Sequence, residues 1–241
     1  MTGASERFTK LLQVQDHDTV IDQLVHRRAT LPERAALRAA ESQIASIGAR
    51  RDEVGAVRNE LGARQAALEE QIASSKTRSA DIDRRMYSGQ VTAARDLQAM
   101  AEEVKHLARH VTELEDKELE VMEELEPVDT ELGAADSEIA KLEASAGVLG
   151  EDIAKKESDI DAELVRERAT RTDLAAEVPA DLLAIYEQLR KRLGGTGAAR
   201  IVNGSCSGCH LHLPAVELDL AQKAAPDTII YCDQCGRILV R

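Results

Sequence analysis

Leu97-Gln-Ala-Met100-Ala-Glu-Glu-Val104-Lys-His-Leu107-Ala-Arg-His-Val111-Thr-Glu-Leu114 spaces its apolar residues alternately three and four apart. The series goes on through Val121, Leu125, Val128, Leu132, Ala135, Ile139, Leu142, Ala146, Leu149 and Ile153, misses one position at Glu118, and continues less regularly to Ile160 and Leu164. A seam of that period is the mark of a left-handed coiled coil. A single helix carrying it would gain little in water without a partner, so the seam calls for a second helix.

That helix lies upstream. Leu37, Ile44, Ile47, Val54, Val57, Leu61, Leu68, Ile72, Ile82 and Met86 follow the same spacing, with Ser75 and Ser79 at weak positions. A shorter helix over about 5–29 precedes it, with Phe8, Leu11, Leu12, Ile21, Leu24 and Val25 on its apolar face. At Thr30-Leu31-Pro32-Glu33 the chain restarts: Thr30 caps, Pro32 suits a first turn and Glu33 completes a capping box. Between the heptad runs stands Tyr87-Ser88-Gly89-Gln90-Val91, where Gly89 can take the positive φ that reverses the chain. Residues 5–87 and 92–174 are then arms of equal length, on the order of 120 Å each at 1.5 Å per residue. Pro127 interrupts the second arm and is expected to bend or break it opposite about Arg51.

Charge supports pairing of these arms. The chain of 241 residues has a formal charge of -13, distributed as about +2 over 1–95, -16 over 96–178 and +1 over 179–241. A mildly basic arm beside an acidic one favours this pairing over self-association of acidic arms. With no Trp, one Phe and three Tyr, the chain lacks the aromatic stock of a large compact core. No apolar stretch is long enough to span a membrane, and the start lacks the apolar run of a secretory signal, which makes the expected compartment the cytoplasm.

Val178-Pro179-Ala180-Asp181 marks the next boundary, followed by a short helix over about 180–193 and a flexible joint at Gly194-Gly195-Thr196-Gly197. Short strands are expected at 199–202, 228–231 and 237–240, with a helical insert from Pro214 to Ala225. The resulting fold class is mainly α. A long antiparallel coiled-coil hairpin occupies 1–178, its tip at about 88–91, and a small α+β ribbon with a short leading helix occupies 179–241. The same seam could also pair between two chains in a swapped dimer.

All four cysteines lie in that last segment. Cys206-Ser-Gly-Cys209 and Cys232-Asp-Gln-Cys235-Gly236 are CxxC knuckles separated by 22 residues, in which Gly208 and Gly236 suit the tight turns. Four thiolates from two such knuckles make a closed tetrahedral site for one structural zinc. Iron suits the same cage, and one CxxC alone could be a redox dithiol, though no thioredoxin-like pattern surrounds it. A closed site leaves no position for substrate, and its role is to fold a segment too small for its own core. His210 and His212 flank the first knuckle as exposed or supporting groups, and His106 and His110 lie one turn apart on a solvated helix face. No phosphate loop, nucleophile elbow or dinucleotide fingerprint occurs in a sensible context, so the chain reads as a non-enzyme without a small-molecule substrate.

Basic residues around the ribbon are candidates for nucleic-acid contact, DNA or RNA: Arg190, Lys191, Arg192, Arg200, Lys223, Arg237 and Arg241. Arg190, Lys191 and Arg192 equally suit a helix C-terminus, where cations offset the dipole. The other candidate surface is the tip, with Tyr87, Gly89, Arg95, Asp96 and Leu97, as a docking point for a protein partner. Asp81, Asp83 and Asp96 near the tip raise the further idea of a bound magnesium, by analogy with transcription factors that insert a coiled-coil tip into RNA polymerase.

A hairpin with Tyr87-Ser-Gly-Gln-Val91 and Arg95-Asp-Leu97-Gln-Ala-Met100 at its tip, closed by Cys232-Asp-Gln-Cys235-Gly-Arg-Ile-Leu-Val240, resembles the bacterial C4-type zinc-ribbon family with an N-terminal helical hairpin. The resemblance covers essentially the whole chain. It departs at Arg95-Asp96-Leu97, where the family usually shows Lys-Glu-Leu, and at Val240, where it usually has an aromatic. The resemblance implies one zinc and a nucleic-acid-binding or regulatory role; the alternative, read from the residues, is a protein-interaction scaffold acting through the hairpin, with its tip or its acidic arm docking a basic or hydrophobic partner.

Overall fold

The computed structural model describes residues 3–241. The element order is α1 (Gly3–Ala29), α2 (Pro32–Tyr87), α3 (Ala94–Ala176), α4 (Ala180–Arg192), β1 (Ala198–Val202), β2 (Ser205–Cys206), α5 (Ala215–Lys223), β3 (Ile230–Tyr231) and β4 (Ile238–Val240). Two compact units divide the chain, one spanning 36–148 and the other combining 1–35 with 149–241. Among the described residues no helix is long and apolar enough to cross a membrane.

The 36–148 unit is the antiparallel hairpin of α2 and α3. Val54, Leu61, Ile72 and Ile82 of α2 and Leu107, Val111, Leu114 and Val121 of α3 are buried, and Leu68, Ile72, Val111 and Leu114 form one packed layer. The heptad reading holds along both arms except at Val57, which is 48% exposed. The seam is flanked by cross-arm ion pairs in which the cation belongs to α2 and the anion to α3: Arg50–Glu131, Arg51–Asp136, Arg58–Asp129, Arg64–Glu124, Lys76–Glu115 and Arg78–Glu103. This is the expected division of charge.

Pro127 does not end α3, which runs through it. It lies between the Arg58–Asp129 and Arg64–Glu124 pairs, across from 58–64 rather than Arg51. At the tip, α3 begins at Ala94 instead of 92. Gly89 does take the left-handed conformation, φ 73°, and the Ser88 hydroxyl donates 2.7 Å to Arg85 O, closing α2.

In the other unit α1 joins the last turns of α3, α4 and the ribbon. Phe8, Leu11, Leu12 and Val14 pack with Ala175, Val178, Leu182, Tyr186 and Leu189, and with Ala198, Ile238 and Val240 of the sheet. The sheet order is β2-β1-β4-β3, with β1 and β4 parallel and both outer pairings antiparallel. Successive side chains alternate faces. Ala198, Ile238 and Val240 therefore meet this helical core, while Ala199 and Leu239 meet the cysteine side.

Two local expectations fail here for identifiable reasons. Thr30 does not cap α2. Its hydroxyl donates 2.8 Å back to His26 O at the end of α1, and the Glu33 carboxylate accepts from Lys156. Nor is 194–197 a flexible joint. Gly194 takes φ 75°, and the Gly195 N–H donates 3.0 Å to Arg190 O, which closes α4 as a Schellman turn. The Gln15 side-chain oxygen accepts from the N–H groups of Gly197 (3.0 Å) and Ala198 (2.7 Å). A Cβ on Gly197 would stand 2.8 Å from Tyr186 O, so the chain passes Tyr186 too closely for any side chain.

Candidate metal centre

Each knuckle is a backbone loop closed by the same pair of hydrogen bonds. Cys206 N–H donates to Leu211 O (3.0 Å) and His210 N–H to Cys206 O (2.8 Å); Cys232 N–H donates to Arg237 O (2.9 Å) and Gly236 N–H to Cys232 O (2.7 Å). The two loops superpose residue on residue in this bonding. The residue after the second cysteine is left-handed in both, His210 at φ 63° and Gly236 at φ 72°. The first knuckle therefore places a histidine where the second has glycine. Gly208 is needed for space rather than turn geometry: a Cβ there would come within 2.5 Å of Arg237 Cδ and 3.1 Å of Ala199 Cβ.

These loops bring Cys206, Cys209, Cys232 and Cys235 together, with all four Sγ atoms within 4.8 Å of one another. Cys206 Sγ lies 3.9 Å from Cys235 Sγ, and Cys209 Sγ lies 4.0 Å from Cys232 Sγ. Zinc–sulfur bonds of about 2.3 Å in a tetrahedron require sulfurs about 3.8 Å apart, so the cage fits one zinc ion with little movement. Cys206 and Cys232 are buried under Ala199, Leu213 and Leu239. Burial pushes both thiols up, Cys232 to about 12. Burial acts on Cys235 in the same sense, yet hydrogen bonds from Arg237 and the neighbouring thiols bring it down to about 7. The site holds a single structural zinc that joins the β1–β2 end of the ribbon to the β3–β4 end. Among the described residues no other group of histidine, cysteine and carboxylate side chains is gathered as metal ligands would be. His210 and His212 are exposed, and His212 Nδ1 lies 3.4 Å from Ser205 Oγ.

Two supporting elements around the cage lie outside the expectations above. Asn203 and Gly204 both have positive φ, 50° and 74°, and join β1 to β2 as a two-residue hairpin with Val202 opposite Ser205. The Asn-Gly dipeptide is the sequence cue for that turn. Glu217 of α5 is only 8% exposed, and its Oε1 accepts 3.1 Å from the Asp233 N–H in the second knuckle; nothing in the sequence marks it.

The seven basic candidates separate into two groups. Arg190 makes two 2.8 Å contacts with the Asp22 carboxylate and stands 3.5 Å from Asp18. Arg237 Nε donates to Thr196, Arg241 to the Ala224 and Ala225 carbonyls, and Lys223 to Asp219. Lys191, Arg192 and Arg200 are exposed, and none has an acidic side-chain partner among the described residues. At the tip Tyr87 is 86% exposed. Gly89, Arg95 and Asp96 are exposed and Leu97 is half-buried. Asp81 pairs with Arg84 rather than joining Asp83 and Asp96.

Comparison with known proteins agrees with this architecture. The CT398-like coiled coil hairpin domain matches residues 14–194, and the C4-type zinc ribbon domain matches 205–239. Neither is an enzyme family. An uncharacterized protein of Mycobacterium tuberculosis is 27% identical over 231 residues, covering 96% of this chain and 94% of its own. A solved structure from Mycobacterium smegmatis aligns over 98% of both chains at 25% identity with TM-score 0.84. CT398 of Chlamydia trachomatis aligns over 99% of both at 19% identity and TM-score 0.67, sharing the fold. From hairpin to knuckles, then, the chain belongs to the CT398-like coiled coil hairpin family and carries that family's hairpin together with a C4-type zinc ribbon.

Proposed function

We propose that this protein is a non-enzymatic nucleic-acid-binding protein, acting through the zinc-ribbon end in a regulatory role. The observation that supports this reading is the position of unused positive charge. Lys191, Arg192 and Arg200 lie close in sequence beside the ribbon, exposed and with no acidic partner among the described residues. Zinc holds the ribbon from which β1 presents Arg200 and against which α4 presents Lys191 and Arg192, and contributes no reaction. The test is anisotropy of labelled DNA and RNA with zinc-loaded protein across a salt series. Binding should weaken with salt, by roughly 0.7–0.9 log units per log unit of salt for each phosphate neutralised. It should fall in the Lys191→Ala/Arg192→Ala/Arg200→Ala variant, and absence of binding at low salt would sink the reading.

The tip supports a second reading, a protein-interaction scaffold, because an aromatic ring as exposed as Tyr87 has no packing role. On that reading Tyr87→Ala and Asp96→Ala remove partner binding, while the triple ribbon variant retains it.

A further inference from the structure

One face of α4 carries Ile185, Gln188, Leu189 and Arg192, positions that recur at helical spacing. With Lys191 and Tyr231 of β3 they line an open groove of about 810 Å³. Tyr231 is 43% exposed and also borders a second depression of about 480 Å³, lined by Leu220, Lys223, Ile229 and Ile230 among others. The Tyr231 ring thus stands between two adjoining hollows. On the α4 side the two cations have no acidic partner among the described residues, and an Arg192 Nη2 lies 3.4 Å from where a Cβ on Gly236 would sit, beside the second knuckle.

Resting on the nucleic-acid reading, we infer that this groove is a binding site for an unpaired strand, with one base stacked on Tyr231 and the adjoining phosphates on Lys191 and Arg192. The combination of an accessible ring and neighbouring cations is what single strands use, because an unpaired base offers a free π-face. In a duplex that face is already stacked. A duplex also carries one charge per ~1.7 Å against ~3.4 Å for one strand, and the chain's net charge of -13 opposes the denser polyanion. The apolar walls, Ile185 and Leu189, suit a base edge, and Gln188 offers both a donor and an acceptor to it.

The experiment uses the full zinc-loaded chain with short fluorescein-labelled oligo(dT) and oligo(U), and with the oligo(dA)·oligo(dT) duplex. Because the chain has no Trp, unlabelled oligonucleotide can be followed by tyrosine emission, and the quench that Tyr231→Phe removes is the part due to Tyr231 rather than to Tyr87 or Tyr186. Single strands should bind more tightly than the duplex and quench tyrosine emission. Tyr231→Ala should weaken binding about tenfold while Tyr231→Phe retains it. Lys191→Ala/Arg192→Ala should flatten the single-strand salt dependence by about 1.4 log units per log unit, from two phosphates at about 0.7 each. Gln188→Ala, an exposed change, serves as the groove variant if Tyr231→Ala loses zinc, and should also weaken single-strand binding. Duplex preference, or single-strand binding indifferent to these variants, overturns the groove and leaves the nucleic-acid reading standing. No oligonucleotide binding at low salt overturns both. Binding of poly-glutamate peptide with the same variant dependence, and of no oligonucleotide, assigns the groove to an acidic protein segment and likewise overturns the inference.

Discussion

The Tyr186 hydroxyl donates a 2.8 Å hydrogen bond to Asp18 Oδ2, joining α4 to α1 inside the core that also holds the sheet. Asp18 is 4% exposed and also accepts from Arg171 Nε at 3.1 Å. Arg171 in turn bonds Glu187. A hydrogen bond to a charged group contributes about 1.5–3 kcal/mol. Tyr186→Phe should therefore lower stability by about 2 kcal/mol in urea titrations without loss of zinc.

The same bond makes stability fall in alkali. Burial, then the bond to Asp18, raises the Tyr186 phenol above its usual range. The unfolded chain gives up that proton near pH 10 while the folded chain keeps it. The folded state then binds more protons, so stability falls as pH rises through the unfolded value. Urea midpoints from pH 8 to pH 11 should show this component in the parent and not in Tyr186→Phe.

Zinc removal should reach beyond the knuckles. Ala198, Ile238 and Val240 share one core with α1 and α4, so chelation should loosen those helices as the ribbon unfolds, while the α2–α3 seam within 36–148 persists. Circular dichroism should drop partially, and hydrogen exchange should rise in α1 and α4. Because burial raises the Cys206 and Cys232 thiols, zinc uptake should release protons, and affinity should fall as pH is lowered. A chelator-competition series over pH measures both.

His210 occupies a left-handed position that its knuckle partner gives to Gly236. Side-chain-bearing residues lose roughly 1–2 kcal/mol there. His210→Gly should stabilise the ribbon by up to about 1 kcal/mol, and Gly236→Ala should destabilise it by a similar amount. Zinc retention under chelator and thermal midpoints compare the two.

On the hairpin, seam and flank should differ in scale. Leu114 is 3% exposed, and Leu114→Ala should cost about 2–5 kcal/mol. Arg64 pairs with Glu124 at 3.3 Å with both side chains more than half exposed, and Arg64→Ala should cost under about 1 kcal/mol. Equilibrium denaturation of both variants checks the contrast.

The periodic part of the chain was open to reading because a seam repeats one physical demand every few residues. Leu107, Val111 and Leu114 declare their burial by spacing alone, and the cysteine pairs declare their metal by chemistry. What escaped depends on contacts distant in sequence. Nothing local to Gln15 shows that it bonds Ala198, and nothing local to Arg190 shows that Asp22 neutralises it. Thr30 misled because a local preference was overruled: its hydroxyl turns back to His26 O and closes α1 instead of opening α2.

One compact unit is a single stretch, 36–148, while the other needs both 1–35 and 149–241. During synthesis the first can zip locally as it leaves the ribosome. Leu11 and Val14 must wait for Leu182, Tyr186 and Ile238, which follow only after the whole hairpin has been made. Loop closure over that separation is slow relative to local helix pairing. The apolar face of α1 therefore stays uncovered while the intervening hairpin is made, and in that interval chaperones and zinc supply bear on whether the chain reaches its native state.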